Sequence, residues 1–221
     1  MTSKYINFKN NIDYNELKKI ANEIKNNKVV IFPTETVYGI GANGLDEEAI
    51  KKLFVAKKRP ENKPINLLIS NINMIENVAK DLTPLDYALI KEFFPGPLTL
   101  ILKKKNNVPN ILTANGDTVG VRMPANEIAL KLIEYANIPI ATSSSNISGN
   151  ETGINIDNIF DDFNGRVDYI IDDGPSKLGV ASTIVKVVDN KPIILREGSI
   201  TKEQIETVYN NLYKQKNWYN K

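Results

Sequence analysis

Apolar positions along this chain alternate between two periods. Over residues 13–26 they recur every three or four residues. Leu17, Ile20, Ala21 and Ile24 fall on one face, which predicts an amphipathic helix with a capping-box-like start at Asp13 and Glu16. Val29-Val30-Ile31-Phe32 then forms an unbroken apolar run, read as a buried strand. Pro33 ends it, having no amide proton to give to a ladder. The same reading predicts further helices over 46–58, 71–80, 83–94, 126–135 and 201–214, and a helical turn near 157–163. Strands are predicted over 65–69, 98–102, 118–123, 138–142, 169–172, 182–188 and 192–196, with Asp189-Asn190 turning the last two into a hairpin. Lys103-Lys104-Lys105-Asn106-Asn107 reads as an exposed turn. Without internal repeats or a linker-like stretch, one α/β domain with a mixed sheet is the economical architecture.

Polar residues gather where the apolar runs stop. Past Phe32 comes Pro33-Thr34-Glu35-Thr36-Val37-Tyr38-Gly39-Ile40-Gly41. Open α/β sheets place ligands at the carboxyl ends of strands, so this stretch is read as the floor of a small-molecule site. Lys57-Lys58-Arg59-Pro60 closes a helix, and Ser143-Ser144-Ser145-Asn146-Ile147-Ser148-Gly149 follows another strand. Arg122 ends an apolar strand, where a buried charge needs a partner. Ser182-Thr183 and Arg196-Glu197-Gly198 flank the final hairpin. Gly39-Ile40-Gly41-Ala42-Asn43-Gly44 matches G-x-G-x-x-G, but six residues separate it from the strand before it. A pyrophosphate would not meet the helix N-terminus from there, so these glycines are read as sites of close backbone packing. Arg59, Arg122 and Arg196 are far apart in sequence yet all stand at element ends. Guanidinium forks match phosphate and carboxylate oxygens. An anionic ligand, such as a nucleotide, in a basic cleft at the strand ends is the expectation.

Composition narrows the chemistry. The 221 residues contain neither cysteine nor histidine. Thiolate catalysis, a Ser-His-Asp triad and Cys- or His-ligated metal are excluded. Hydroxyls, amides, carboxylates and cations must carry any reaction. The net charge of +2 implies no polyanionic partner by itself. No early apolar segment resembles a leader and no run reaches the ~18 apolar residues of a membrane span, so a soluble cytoplasmic setting without membrane contact is expected.

Six ordered motifs carry a resemblance that covers nearly the whole chain. They are P-T-E-T-x-Y-G-I-G at Pro33, K-x-R-P at Lys57, T-V-x-V-R-x-P at Thr118, S-x-N-x-S-G at Ser144, S-T-I at Ser182 and R-x-G at Arg196. In these the chain resembles the YrdC/Sua5 family of L-threonylcarbamoyladenylate synthases. The resemblance implies an open, twisted mixed sheet flanked by helices, with a catalytic domain over 1–213 and a polar tail over 214–221. It implies that L-threonine, bicarbonate or CO2 and ATP are joined into threonylcarbamoyl-AMP, with release of pyrophosphate. A tRNA threonylcarbamoyl-transferase complex would then use the product on adenosine 37, with weak tRNA contact by this chain. Mg2+ would be held mainly by the ATP phosphates. Carried over by motif, Thr36, Arg122 and Ser182 would bind L-threonine, with Arg122 as a fork on its carboxylate. Lys57 and Arg59 would face the phosphates as the catalytic cations. Thr118, Ser144, Asn146 and Arg196 would join them on the nucleotide.

The chain departs from the family pattern where many members have a histidine, here Leu68, and an acidic residue, here Lys186. The tail residues Trp218 and Tyr219 are read as a frayed terminus. The rival reading from another class is an RNA-binding module that uses the basic cleft without nucleotidyl transfer. It lacks support from arginine–aromatic interleaving or any RNA motif.

Overall fold

Most helices begin at a residue that can satisfy their free amides. In the computed structural model, which describes residues 2–149 and 156–218, Asp13 accepts from the amides of Asn15 and Glu16 to start helix α1 (Tyr14–Lys25). Asp46 caps α2 (Glu47–Lys57) and Asn126 caps α5 (Glu127–Ala136) in the same way. Thr83 and Asp86 form a reciprocal capping box on α4 (Pro84–Phe93). The face expected for α1 is the one that is buried, Leu17, Ile20, Ala21 and Ile24. It packs against α5 and strand β3 (Gly39–Asn43).

The remaining strands are β1 (Lys4–Asn7), β2 (Val30–Phe32), β4 (Asn66–Leu68), β5 (Ala79–Lys80), β6 (Leu98–Lys104), β7 (Thr118–Arg122), β8 (Ile140–Ser144), β9 (Tyr169–Asp172), β10 (Thr183–Val188) and β11 (Lys191–Arg196). Among the described residues they make one mixed sheet in the order β1-β9-β2-β3-β8-β4-β7-β6-β10-β11, with β5 added beside β6. The sheet combines parallel pairs (β1/β9, β2/β9, β4/β7, β6/β10) with antiparallel ones (β2/β3, β3/β8, β4/β8, β6/β7, β10/β11). The mixed sheet flanked by helices is the architecture expected. β2 is buried at every position, which explains its unbroken apolar run.

Several boundaries differ from the sequence reading. β3 was expected as loop, because Gly39-Ile40-Gly41-Ala42-Asn43 has little strand propensity. It pairs with β2 on one side and β8 on the other, so the G-x-G-x-x-G match lies largely in a strand and starts no helix. Close packing explains the glycines: a Cβ at Gly41 would come within 2.7 Å of both Ile140 and Phe32, and one at Gly44 within 2.5 Å of Leu67. β1 and β5 are short edge pieces with no hydrophobic alternation to signal them. Only Ile75–Val78 (α3) of the helix expected over 71–80 is α-helical. Lys103 and Lys104 belong to β6 rather than to a turn, their backbone paired with Thr118 and Ala79. The Asp189-Asn190 turn forms with φ of 49° and 59°, the twist that suits a tight hairpin. α6 (Ile156–Phe163) precedes β9, and α7 (Lys202–Trp218) runs past the expected end at 214, starting from Thr201 and Gln204. Tyr219 and the rest of the expected tail lie outside the described residues, as does the end of the polar loop after Gly149.

Candidate active site

Side chains on a strand alternate between faces, and residues of seven neighbouring strands, most of them at alternate positions, line one cleft of about 400 Å³. They are Gly39 on β3, Thr142, Ser143 and Ser144 on β8, Asn66 and Leu68 on β4, Arg122 on β7, Thr99 and Ile101 on β6, Ile184 on β10 and Leu195 and Arg196 on β11. The Pro33–Tyr38 loop contributes Thr34, Thr36, Val37 and Tyr38, and Arg59 enters from beyond α2. The cleft thus extends across a face of the sheet as well as along strand ends. Three guanidinium groups, several hydroxyls and one amide surround it.

Each guanidinium is fixed by backbone or by an ion pair. Arg59 donates to the carbonyls of Lys63 (3.1 Å) and Pro64 (2.9 Å). Arg196 donates from Nε and Nη2 to the Ser182 carbonyl at 3.1 and 2.8 Å, and from Nη2 to Ser182 Oγ at 3.2 Å. Burial lowers the pKa of both from the ordinary arginine value, and the neighbouring Arg122 cation lowers that of Arg196 further. Arg122 donates from Nε to the Gly96 carbonyl at 3.2 Å, and its Nη2 lies 2.7 Å from Glu35 Oε1. Both side chains of this ion pair are more than nine-tenths buried. Arg122 lines the cleft and Glu35 does not, so the carboxylate meets the guanidinium away from the cleft lining.

Glu35 was not singled out from sequence. Its signal was the carboxylate between two threonines in the Pro33 motif. The loop that carries it is anchored by Tyr38, which is fully buried. Tyr38 donates its hydroxyl to the Gly174 carbonyl at 2.6 Å and accepts from the Asp173 amide at 3.0 Å. Burial raises the Tyr38 phenol pKa well above its ordinary value. The Glu35 carbonyl accepts from the Leu178 amide, tying the same two segments together.

Hydroxyl pairs orient the predicted amino-acid contacts. Thr34 Oγ1 spends its single proton on the Val37 carbonyl at 2.6 Å. In the 2.9 Å pair with Thr36, the proton must therefore come from Thr36, whose lone pairs remain to accept from a ligand. Ser182, just before β10, and Thr99 of β6 share a hydrogen bond of 2.9 Å. On the other side, Ser144 donates to Asn146 Oδ1 at 2.6 Å.

Six of the nine sequence-predicted residues come together as cleft lining: Thr36, Arg59, Arg122, Ser144, Ser182 and Arg196. Lys57, Thr118 and Asn146 are not among the lining residues. Lys57 is 1% exposed, and its ammonium donates to the carbonyls of Ser144 and Asn146, the latter at 2.8 Å. The Lys57 carbonyl accepts from the Ser148 amide, so Lys57 grips this loop twice. Burial, then the Arg59 charge, push its pKa down to about 7. Thr118 starts β7 opposite Lys103, at the far end of that strand from Arg122. Leu68 lines the cleft beside Arg122 in register, so an apolar side chain occupies this point of the wall. Asn66 was missed, because an isolated asparagine in a short apolar run carries no pattern of its own.

Comparison with known proteins identifies the family. The Sua5/YciO/YrdC family model, described as telomere recombination, matches residues 22–198. The chain belongs to this family. Curated Sua5/YciO/YrdC relatives include the threonylcarbamoyl-AMP synthase of Pyrococcus abyssi, 44% identical over 203 residues that cover 92% of this chain and 60% of that protein. Another is the threonylcarbamoyl-AMP synthase of Bacillus subtilis, 41% identical over 87% of this chain and 56% of the relative. The crystal structure of P. abyssi Sua5 complexed with L-threonine superposes with a TM-score of 0.91 at 44% identity, over 93% of this chain and 61% of that one. The chain therefore spans about three-fifths of the length of these relatives. Among the described residues, no helix is long and apolar enough to cross a membrane.

Proposed function

We propose that this chain is an L-threonylcarbamoyladenylate synthase. It joins L-threonine, bicarbonate or CO2 and ATP into threonylcarbamoyl-AMP and releases pyrophosphate, and the product serves N6-threonylcarbamoylation of tRNA adenosine 37. The observation that carries the reading is the convergence of Arg59, Arg122 and Arg196 with Thr36, Ser144 and Ser182 on one cleft. The family's threonylcarbamoyl-AMP synthases, and a Sua5 structure that holds L-threonine, support it.

In this reading Arg122 and Ser182 bind the amino-acid carboxylate, and Thr36 accepts a hydrogen bond from the amine or hydroxyl. The threonine amine attacks CO2, forming an N–C bond and losing a proton to substrate oxygen or water. A carbamate oxygen then attacks the α-phosphorus, and the bond to the leaving pyrophosphate breaks. The chain's part is positioning and charge stabilisation, with Arg59 and Arg196 on the phosphates and nucleotide. Lys57 supports the Ser144–Asn146 loop that would cradle the nucleotide, and Thr118 remains assigned to the nucleotide by motif alone. The cleft lining includes no carboxylate, and Glu35 is committed to Arg122. Mg2+ therefore fits as an ion carried in by ATP phosphates, and it lowers their charge when bound. A transferase complex would consume the product, with weak tRNA contact by this chain, in the cytoplasm.

The test is pyrophosphate release from ATP with Mg2+ and bicarbonate, with and without L-threonine, and mass analysis of the adenylate. Release that depends on threonine and bicarbonate, with a threonylcarbamoyl-AMP mass, is the expected result. Absent release, together with salt-sensitive RNA affinity, would favour the RNA-binding reading.

A further inference from the structure

Asn66 stands in the middle of the cleft wall with its amide uncommitted. It lies on β4, in register with Thr142 of β8 and packed against Gly120 of β7. Its side chain is half-buried and makes no hydrogen bond to any described residue. A polar group on a cleft floor without an internal partner is oriented by what packs around it and satisfied by what enters.

Gly120 fixes that orientation. A Cβ at Gly120 would lie 2.2 Å from Asn66 Oδ1 and 3.0 Å from its Cγ, so the amide can lie across β7 only because this residue is glycine. The next nearest atom to that point is the Thr99 methyl at 3.2 Å. Asn66 therefore reaches toward Thr99, the partner of Ser182, on the side of the cleft where Arg122 ends β7. With Oδ1 over the glycine, Nδ2 is the part turned away from that contact. It is a hydrogen-bond donor in the cleft that the Arg122 guanidinium also lines.

We infer that Asn66 is a substrate-binding residue that donates from Nδ2 to an anionic oxygen of the amino-acid substrate, with Gly120 as the residue that positions it. The inference rests on the activity proposed above. It predicts a contact to the carboxylate or carbamate end of the substrate and none to the nucleotide. Asn66→Asp keeps the shape but replaces the donor with a negative charge, so it should weaken binding more than Asn66→Ala.

The experiment titrates purified protein with L-threonine and, separately, with ATP, and measures KM and kcat. Asn66→Ala should raise the threonine Kd and KM roughly tenfold, the worth of one hydrogen bond to a charged group. Asn66→Asp should raise them further, and Gly120→Ala should match Asn66→Ala by displacing the amide. ATP affinity and the thermal midpoint of the Asn66 variants should stay at the wild-type values. If Asn66→Ala proves unstable, the isosteric Asp variant decides. Unchanged threonine affinity in Asn66→Asp, with wild-type binding intact, would overturn the assignment while leaving the activity proposal in place. Wild-type protein that binds no threonine would instead overturn the activity proposal and this inference with it.

Discussion

Arg122 and Glu35 show how one buried pair can serve both stability and binding. A guanidinium removed from water needs a counter-charge, and Glu35 supplies it at 2.7 Å from behind the cleft. Arg122→Ala removes the charge that meets the ligand and should raise the threonine KM by about 10- to 100-fold, read by steady-state kinetics. Glu35→Gln leaves a cation beside Arg196 without its partner. It should cost roughly 3 kcal/mol of stability in a urea titration and should also raise the threonine KM. A Glu35→Gln protein with wild-type stability and kinetics would show that the pair carries neither role. Arg122 was legible in the sequence, because a lone arginine at the end of an apolar strand has few harmless explanations. Glu35 was less so, because a carboxylate in a polar loop usually faces water, and only the folded loop buries it.

Among the elements, β3 is the one that the local pattern hides and the fold requires. Glycines give it little reason to be a strand, yet Phe32, Ile140 and Leu67 occupy the space that side chains would take. Gly44→Ala should destabilise the protein by about 1–3 kcal/mol, because a Cβ there also meets the Pro139 carbonyl at 2.7 Å and backbone cannot move aside. Equilibrium unfolding measures this, and a loss of under about 0.5 kcal/mol would mean that the site relaxes more easily than the contacts imply. The Pro33–Tyr38 loop is the connection between β2 and β3. That placement carries Thr34 and Thr36 over the sheet face rather than off its edge. The helices were easier to read, since their caps and apolar faces are local and the packed structure uses them as written.

For the whole molecule, the largest electrostatic consequence falls on Lys57, a cation buried behind the cleft lining. Its pKa falls from an ordinary value near 10.5 to about 7. Between those values the unfolded chain binds a proton that the folded chain does not, so stability attributable to Lys57 rises with pH across this window. Below about pH 7 the cost of keeping the ammonium buried is fully present. Unfolding curves from pH 6 to 10 should therefore show a rise in stability that Lys57→Met lacks. Parallel pH profiles for the two proteins would refute a depressed Lys57. The two carbonyls that accept from the ammonium give the buried Lys57 its hydrogen-bond partners under the Ser144–Asn146 loop.

The sequence alone determined the alternation of helices and strands, the caps, the hairpin turn and the chemical character of the site. These depend on neighbours a few residues away, and the chain cannot form its elements without displaying them. Its motifs also carried the family. The tertiary structure decided which of those residues face one another. Strand order joined β4, β7, β6 and β10 side by side from distant segments, and alternation then turned Arg122, Thr99, Ser182 and Asn66 toward one space. It turned Lys57 inward to carbonyls and left Thr118 at the far end of its strand. Pairing across a sheet depends on the packing of the whole core, so no local pattern in the chain records it.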